Sequence, residues 1–376
     1  VRFRIEKDTF AEAIAWVSRT LPARPAKPVL SGIVLSAGDD GVALASFDYD
    51  TASRVHVEAV VTAPGHAVVP GRLAAEIARS LPNAPVEVSV EGSRVQVTCG
   101  RSSFTLPTLP HEEYPALPDS PPASGSLPGN TFAAAVAQVA VAAGRDDTLA
   151  ALTGVRIEIA GSTITLAATD RYRLAVREFA WVPAVPGAEA AVLVPARALA
   201  DIAKALSTAE AVHLGLGSGE ADNLLGFEGL GRSTTTRLLD ADFPKYRSLL
   251  PSEWSTTASL STAALTEAVK RVALVAERNT ALRLTFADSE VVLRAGTGDE
   301  AQATEALECH IDGPDIEIAL NPSYLLDGLG VLDAPVARLA FTQPNRPVVL
   351  TGAADVASAS SDVVFHYLLM PVRLAG

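Results

Sequence analysis

At 376 residues the chain exceeds what one ordinary core organises, so two or three domains are expected. A composition of 48% hydrophobic and 19% charged residues excludes a disordered chain, and no apolar run approaches the roughly 20 residues of a membrane-spanning helix. A net charge of −13 argues against an indiscriminate nucleic-acid binder, because phosphates attract clustered cations, although where the basic residues sit matters more than their sum.

The first residues alternate like a strand and lack the apolar stretch of a signal peptide, so a cytoplasmic protein is expected. Cys99 and Cys309 form neither a disulfide framework nor a metal cluster, in keeping with a reducing compartment. A helix is predicted over residues 8–20, with Asp8 as its N-cap and Phe10, Ile14 and Val17 on one face. A hairpin around Gly38-Asp39-Asp40-Gly41 follows, then a strand over 55–61, a helix over 71–81 and a hairpin around Gly92-Ser93. The same order returns with a helix over 131–143, a hairpin around Gly161-Ser162, a strand over 174–178 and a helix over 196–206. A third round predicts a helix over 262–276, strands over 283–286 and 291–294, a helix over 323–332, and a last strand in the tail 366–374. Pro, Ser and Gly cluster at 118–129 and more weakly at 251–259, which places domains at 1–118, 126–251 and 255–376.

The three rounds share more than their order. Val69-Pro70-Gly71-Arg72 opens a helix carrying Glu76, Ile77, Arg79 and Leu81, and Val194-Pro195-Ala196-Arg197 opens one carrying Asp201, Ile202, Lys204 and Leu206. Leu320-Asn321-Pro322 opens the third, with Asp327, Leu329 and Leu332. Self-similarity at this period indicates a repeat-built scaffold of the α+β class, with two helices and about eight short strands in each unit. Two helices cover only one face of such a sheet, so neighbouring units are expected to continue the sheet from one to the next.

Several stretches carry a specific likeness. They are Arg24-Pro25 with Pro28-Val29-Leu30, Gly100-Arg101-Ser102 with Thr108-Leu109-Pro110, Ala168-Thr169-Asp170-Arg171-Tyr172-Arg173-Leu174, Asp242-Phe243-Pro244-Lys245-Tyr246, Asn321 with Ser323-Tyr324, and Met370-Pro371-Val372-Arg373-Leu374. In this order and spacing, across the whole chain, they resemble the bacterial DNA polymerase III beta subunit family of replicative sliding clamps. The resemblance implies a head-to-tail homodimer that closes a ring of six similar domains, with helices lining the hole. It implies a processivity factor that encircles duplex DNA of any sequence and tethers the replicative polymerase, the clamp loader and repair proteins. No catalysis, cofactor, metal or membrane is implied.

By the same resemblance, the cations for DNA are Arg24, Arg72, Arg79, Arg145, Arg197, Lys204, Lys270 and Arg271, on or beside helices that would line the hole. Phosphate contacts suit a sliding protein because they carry no sequence information. The partner-peptide pocket would comprise Leu152, Thr169, Arg171, Tyr172, Arg173, Leu174, Pro244, Leu249, Asn321, Tyr324, Met370, Pro371, Val372 and Arg373. An apolar groove with a few polar groups suits a short peptide with one or two hydrophobic anchors. Ring closure would set Phe104 and Leu106 of one subunit against Val272 and Leu274 of the other. Arg171-Tyr172 stands where well-known members carry Gly-His, Ser248 replaces a frequent arginine, Ala375-Gly376 extends the usual end, and Asn279 replaces an aromatic of the ring contact. These departures leave open an additional copy that resists a clamp inhibitor.

Two other classes compete. An enzyme finds little support: the six histidines show no metal-ligand spacing, the acidic pairs Asp146-Asp147 and Asp240 with Asp242 read as turns, and Gly215-x-Gly217-x-Gly219 is no phosphate loop. A repeat-built protein-binding scaffold that does not act on DNA is the alternative.

Overall fold

The computed structural model describes residues 1–217, 223–251, 253–276, 280–296, 301–356 and 364–372. Strand β1 (Arg2–Ile5) runs into helix α1 (Lys7–Ser18). Glu6, not Asp8, precedes the helix, and no side chain caps it. Ile5 is committed to pairing with Val86, so the chain can turn only at Glu6. Asp8 instead lies within the first turn, where a carboxylate favours the helix dipole. Strands β2 (Gly32–Gly38), β3 (Gly41–Phe47), β4 (Thr51–Val57), β5 (Val60–Ala63) and β6 (Gly65–Pro70) follow. The strand expected over 55–61 is therefore divided, because β4 pairs with β3 while β5 pairs with β1. Helix α2 (Gly71–Ser80) and strands β7 (Val86–Glu91), β8 (Arg94–Cys99) and β9 (Ser102–Pro107) complete the repeat.

The second repeat runs β10 (Gly125–Leu127), α3 (Gly129–Ala140), a one-turn helix α4 (Ala150–Thr153), β11 (Gly154–Ala160), β12 (Thr163–Thr169), β13 (Arg173–Ala180), β14 (Val182–Pro183), β15 (Glu189–Pro195), α5 (Ala196–Ala205), β16 (Val212–Leu216), β17 (Leu224–Gly229) and β18 (Arg232–Arg237). The third runs β19 (Thr256–Ser261), α6 (Thr262–Val272), β20 (Leu282–Ala287), β21 (Glu290–Ala295), β22 (Ala303–Glu308), β23 (His310–Asp312), β24 (Ile316–Leu320), α7 (Pro322–Gly330), β25 (Val336–Phe341), β26 (Val348–Ala353) and β27 (Phe365–Leu369). Among the described residues each repeat has two main helices and nine strands, one of them a short edge strand (β5, β14 or β23). The helices are amphipathic by repeat: Ala74, Ala75, Ile77 and Ala78 are buried in α2, Leu199, Ile202 and Ala203 in α5, and Leu325 and Leu329 in α7.

Two compact units emerge, each described by itself. The first comprises residues 1–132, 182–185 and 201–238. It holds a five-stranded sheet, β5-β1-β7-β8-β9, and a nine-stranded sheet, β14-β10-β16-β17-β18-β4-β3-β2-β6. The second comprises residues 133–181, 186–200 and 239–376, with a nine-stranded sheet, β15-β11-β12-β13-β27-β26-β25-β19-β23, and a four-stranded one, β22-β21-β20-β24. Each nine-stranded sheet draws strands from two successive repeats, as the one-sided helix layer requires. The seams are antiparallel ladders: β4 with β18, from Thr51↔Thr236 to Val55↔Arg232, and β13 with β27, from Arg173↔Leu369 to Arg177↔Phe365.

Candidate functional site

The site grows out of the three-residue turn, Asp170 to Tyr172, between β12 and β13. Asp170 accepts backbone N–H bonds from Tyr172 and Arg173, both 3.0 Å, on one carboxylate oxygen. This folds the turn and puts Arg171 at φ +79°, in the left-handed region that β-carbons disfavour. Thr169 fastens the base by donating its hydroxyl to the carbonyl of Arg173 at 2.7 Å. Tyr172, with its ring 60% exposed, offers its carbonyl to the amide of Met370 at 2.8 Å. The residues after β27 are drawn along the turn in this way, and Val372 is tied by its amide to the carbonyl of Ala319.

Beneath the turn lies a buried charge. The Arg173 guanidinium bonds Asp170 at 2.9 Å, Asp327 of α7 at 2.5 Å and the Tyr367 hydroxyl of β27 at 3.2 Å, and lies 4.4 Å from the Tyr324 ring centre. Burial alone would lower its pKa; Tyr367, Asp327 and Asp170 more than offset that and raise it. Tyr367 is fully buried and donates its hydroxyl to the carbonyl of Tyr324 at 2.9 Å. Gly328 makes this possible: a β-carbon there would sit 2.5 Å from the Tyr367 ring. Asn321 caps α7, its side chain accepting from Ser323 at 2.9 Å and Tyr324 at 3.2 Å. The cap fixes Tyr324, whose ring stacks on that of Tyr172 with centres 6.2 Å apart.

Of the fourteen expected pocket residues, Arg173, Asn321, Tyr324, Tyr172, Met370, Thr169 and Arg171 are thus brought together by direct bonds, ring contacts or the shared turn. Leu174 is buried in a cluster with Ala167, Val176, Tyr246, Val349 and Leu368, against which Phe243 and Leu250 pack. Leu152 is also buried, while Pro244, Leu249 and Val372 are exposed and Pro371 is half-buried. Arg373 lies outside the described residues, as do Asn279 and Ala375-Gly376. Asp170, Asp327 and Tyr367 were not among the expected site residues. The Asp-x-x-Arg spacing of Asp170 and Arg173 was the available signal. Asp327 and Tyr367 lie 154 and 194 residues from Arg173, and only the fold joins them.

The comparisons decide what this arrangement belongs to. Family models of the DNA polymerase III beta subunit match successively, the N-terminal domain over residues 1–118, the central domain over 126–245 and the C-terminal domain over 247–373. The chain belongs to the DNA polymerase III beta subunit family. It is 55% identical to the beta sliding clamp of Streptomyces coelicolor, with all of both chains covered, and 44% identical to the beta sliding clamp homolog GriR of Streptomyces muensis, with 99% of each covered. A crystal structure of a Pseudomonas aeruginosa sliding clamp bound to griselimycin superposes with a TM-score of 0.89 at 26% identity over 99% of both chains.

The other expected residues of this beta-subunit family member fall as follows. Arg72 and Arg79 are the second and ninth residues of α2, Arg197 and Lys204 the second and ninth of α5, and all four are exposed. The matching places in α7 are Ser323 and Gly330. Arg24 and Arg145 are exposed in loops. Among the described residues, none of these six cations has an ion-pair partner within 4.0 Å, whereas Lys270 pairs with Glu267 at 2.8 Å and Arg271 with Glu305 at 2.5 Å. Leu106 and Val272 are buried in the cores of their own repeats. Phe104 is half-buried on β9, at the edge of its sheet, and Leu274 is 84% exposed in a turn just after α6. No described helix is long and apolar enough to cross a membrane.

Proposed function

We propose that the chain works as a sliding clamp: two copies join head to tail, enclose duplex DNA and tether the replicative polymerase and other partners, with no catalysis of their own. The observation that carries this reading is that β9 and β22 each lie at an open edge of their sheet among the described residues. Pairing them between two copies extends the sheet logic already used twice within the chain, and two such contacts close the assembly. Phe104 and Leu274 are its apolar contacts, since Leu106 and Val272 are spent on internal cores. The repeats are domains I to III, over 1–118, 126–251 and 255–376, in a cytoplasmic protein.

Arg24, Arg72, Arg79, Arg145, Arg197 and Lys204 supply phosphate contacts. Lys270 and Arg271 contribute less, because nearby carboxylates already neutralise them. The exposed apolar atoms of Tyr172, Leu249, Met370 and Val372 receive the hydrophobic anchor of a partner peptide. Arg173 holds the turn and α7 in place for it rather than touching the ligand.

The test is solution mass followed by loading on nicked circular DNA with a clamp loader. A species of twice 39.0 kDa that stays on circles and slides off after linearisation is expected. A monomer, or equal loss from both DNA forms, overturns the reading. The double variant Phe104→Asp, Leu274→Asp should be monomeric, and Met370→Ala should weaken binding of a clamp-binding peptide about tenfold while leaving the dimer intact.

A second reading, an additional copy that tolerates a clamp inhibitor, is favoured by one observation. Arg171 and Tyr172 stand at the exposed rim of the turn where well-known members carry Gly-His, and the Tyr172 ring stacks over Tyr324. Griselimycin binding as tight as that of the Streptomyces coelicolor clamp, measured by calorimetry, would rule this out.

A further inference from the structure

The seam between β13 and β27 carries a second cleft, away from Tyr172 and Met370. Arg177 and Phe365 face each other four residues along the ladder from Arg173 and Leu369, a separation of roughly 13 Å at about 3.3 Å per residue. A cleft of about 330 Å³ opens there, lined by Gln138, Arg177, Leu332, Asp333, Pro335 and Phe365 among others. This volume lies at the small end of the range of ligand pockets, about 300–1,000 Å³.

Two polar atoms of the lining have no hydrogen-bond partner among the described residues. Gln138 on α3 is only 8% exposed. Its amide nitrogen donates to the carbonyl of Val331 at 3.2 Å, which fixes the orientation and leaves Oε1 as a buried acceptor with nothing to accept. Nε of Arg177 is a buried donor in the same condition. Buried polar groups are nearly always bonded, and each exception calls for a cause.

The first unit shows what the same place looks like when filled. By the alignment of Phe10 with Phe132 and Ile14 with Val136, Trp16 corresponds to Gln138, and Val55↔Arg232 is the ladder pair corresponding to Arg177↔Phe365. Trp16 is buried, the Arg232 guanidinium lies 5.4 Å from its ring centre, and Arg232 pairs with Glu12 at 3.0 Å. The indole nitrogen of Trp16 also lacks an acceptor, so one orphan atom does not distinguish the two places. The hollow lined by Val55 and Arg232 is smaller, about 190 Å³, and its cation is paired. The second seam has the larger space, the smaller side chain and a cation with no ion-pair partner within 4.0 Å among the described residues.

We propose that this second cleft binds an extended peptide segment of a partner protein, which places a backbone carbonyl on Arg177 Nε and a backbone N–H on Gln138 Oε1. One amide unit supplies both the acceptor and the donor that the lining lacks. Arg177 and Asp333 balance in charge, which disfavours a phosphate-bearing ligand, and Leu332, Pro335 and Phe365 offer apolar walls to a side chain. The proposal is independent of the clamp reading.

The probe is N-acetylalanine N-methylamide, with N-acetyl dipeptide methylamides to add a side chain, offered to the full-length protein. Saturation-transfer NMR should report binding to the unaltered protein, and a crystal structure should place the probe amide on Gln138 and Arg177. Gln138→Leu, which keeps the volume but removes the acceptor together with the bond to Val331, should weaken binding at least tenfold, and Gln138→Trp should abolish it. Absence of probe binding, unchanged binding in Gln138→Leu, or a crystal structure with only water or residues 357–363 on these two atoms overturns the proposal.

Discussion

The turn Asp48–Thr51 and the turn Asp170–Arg173 are the same backbone used twice. Asp48 accepts from the amides of Asp50 at 3.0 Å and Thr51 at 2.7 Å, as Asp170 does from Tyr172 and Arg173. Tyr49 and Arg171 share φ +79°, and the amide of Arg237 meets the carbonyl of Asp50 just as Met370 meets Tyr172. The side chains then diverge. In the first turn Tyr49, like Leu109 and Tyr114, packs on the buried cluster of Val29, Leu30 and Val68, and hydroxyls run along the seam from Thr20 through Ser53 to Thr234. In the second, Tyr172 and Met370 stay at the surface while Arg173 takes the place of Thr51. One scaffold closes a seam in one repeat and presents apolar atoms to solvent in the next.

The sharpest test of this contrast is Arg173→Ala against Thr51→Ala. Removing the cation takes the counter-charge from Asp170 and Asp327 and one donor from the Tyr367 hydroxyl, at a cost of about 3 kcal/mol, near the lower end for a broken buried pair because Asp327 is partly exposed. Thr51→Ala loses one long hydroxyl contact, 3.4 Å, and should cost less than about 1 kcal/mol. Equal midpoints in urea unfolding would erase the distinction. Gly328→Ala comes next, at about 2 kcal/mol, because the added methyl meets the Tyr367 ring, and peptide binding should fall with it.

The two left-handed residues should then respond with opposite signs. Arg171→Gly relieves backbone strain at an exposed side chain and should stabilise by about 0.5–1 kcal/mol. Tyr49→Gly gains the same relief but loses a packed ring, and should be net destabilising in thermal melts. Smallest is the acid response of Glu158, which accepts from Tyr246 at 3.0 Å and pairs with Arg247 at 2.6 Å. Burial would raise its pKa, but the bonds from Arg247 and Tyr246 prevail and hold it below the ordinary 4.5. A lowered folded value means the stabilisation is complete above about pH 4.5 and fades as pH falls through the folded pKa. Arg247 is largely exposed, so Arg247→Ala should remove well under 1 kcal/mol at neutral pH and nothing in acid.

Much of this was legible in the chain itself, because periodicity and turn residues are local. Both hairpins of the first repeat, α2, α5 and the threefold order were readable from spacing. Other features depended on distant partners. The start of α1 was set by the pairing of Ile5 with Val86 rather than by the capping preference of Asp8. Lys270 and Arg271 were named as cations for DNA, whereas Lys270 pairs with Glu267 three residues before it and Arg271 with Glu305, 34 residues away on β22. Leu106 and Val272 were named for the ring contact by resemblance alone, and their burial depends on which face a neighbouring layer covers. The orphaned atoms of Gln138 and Arg177 were illegible for the same reason: an unmet hydrogen bond is a property of the assembled register, not of a residue.

The central repeat divides its strands, giving β10, β14 and β16 to β18 to one large sheet and β11 to β13 and β15 to the other. Excised as a fragment, it would expose the bare ladder edges of β18 and β13, which β4 and β27 cover in the intact chain. Limited proteolysis in the linkers should therefore release soluble end pieces less readily than the linker lengths imply, and a recombinant middle piece should self-associate through those two edges.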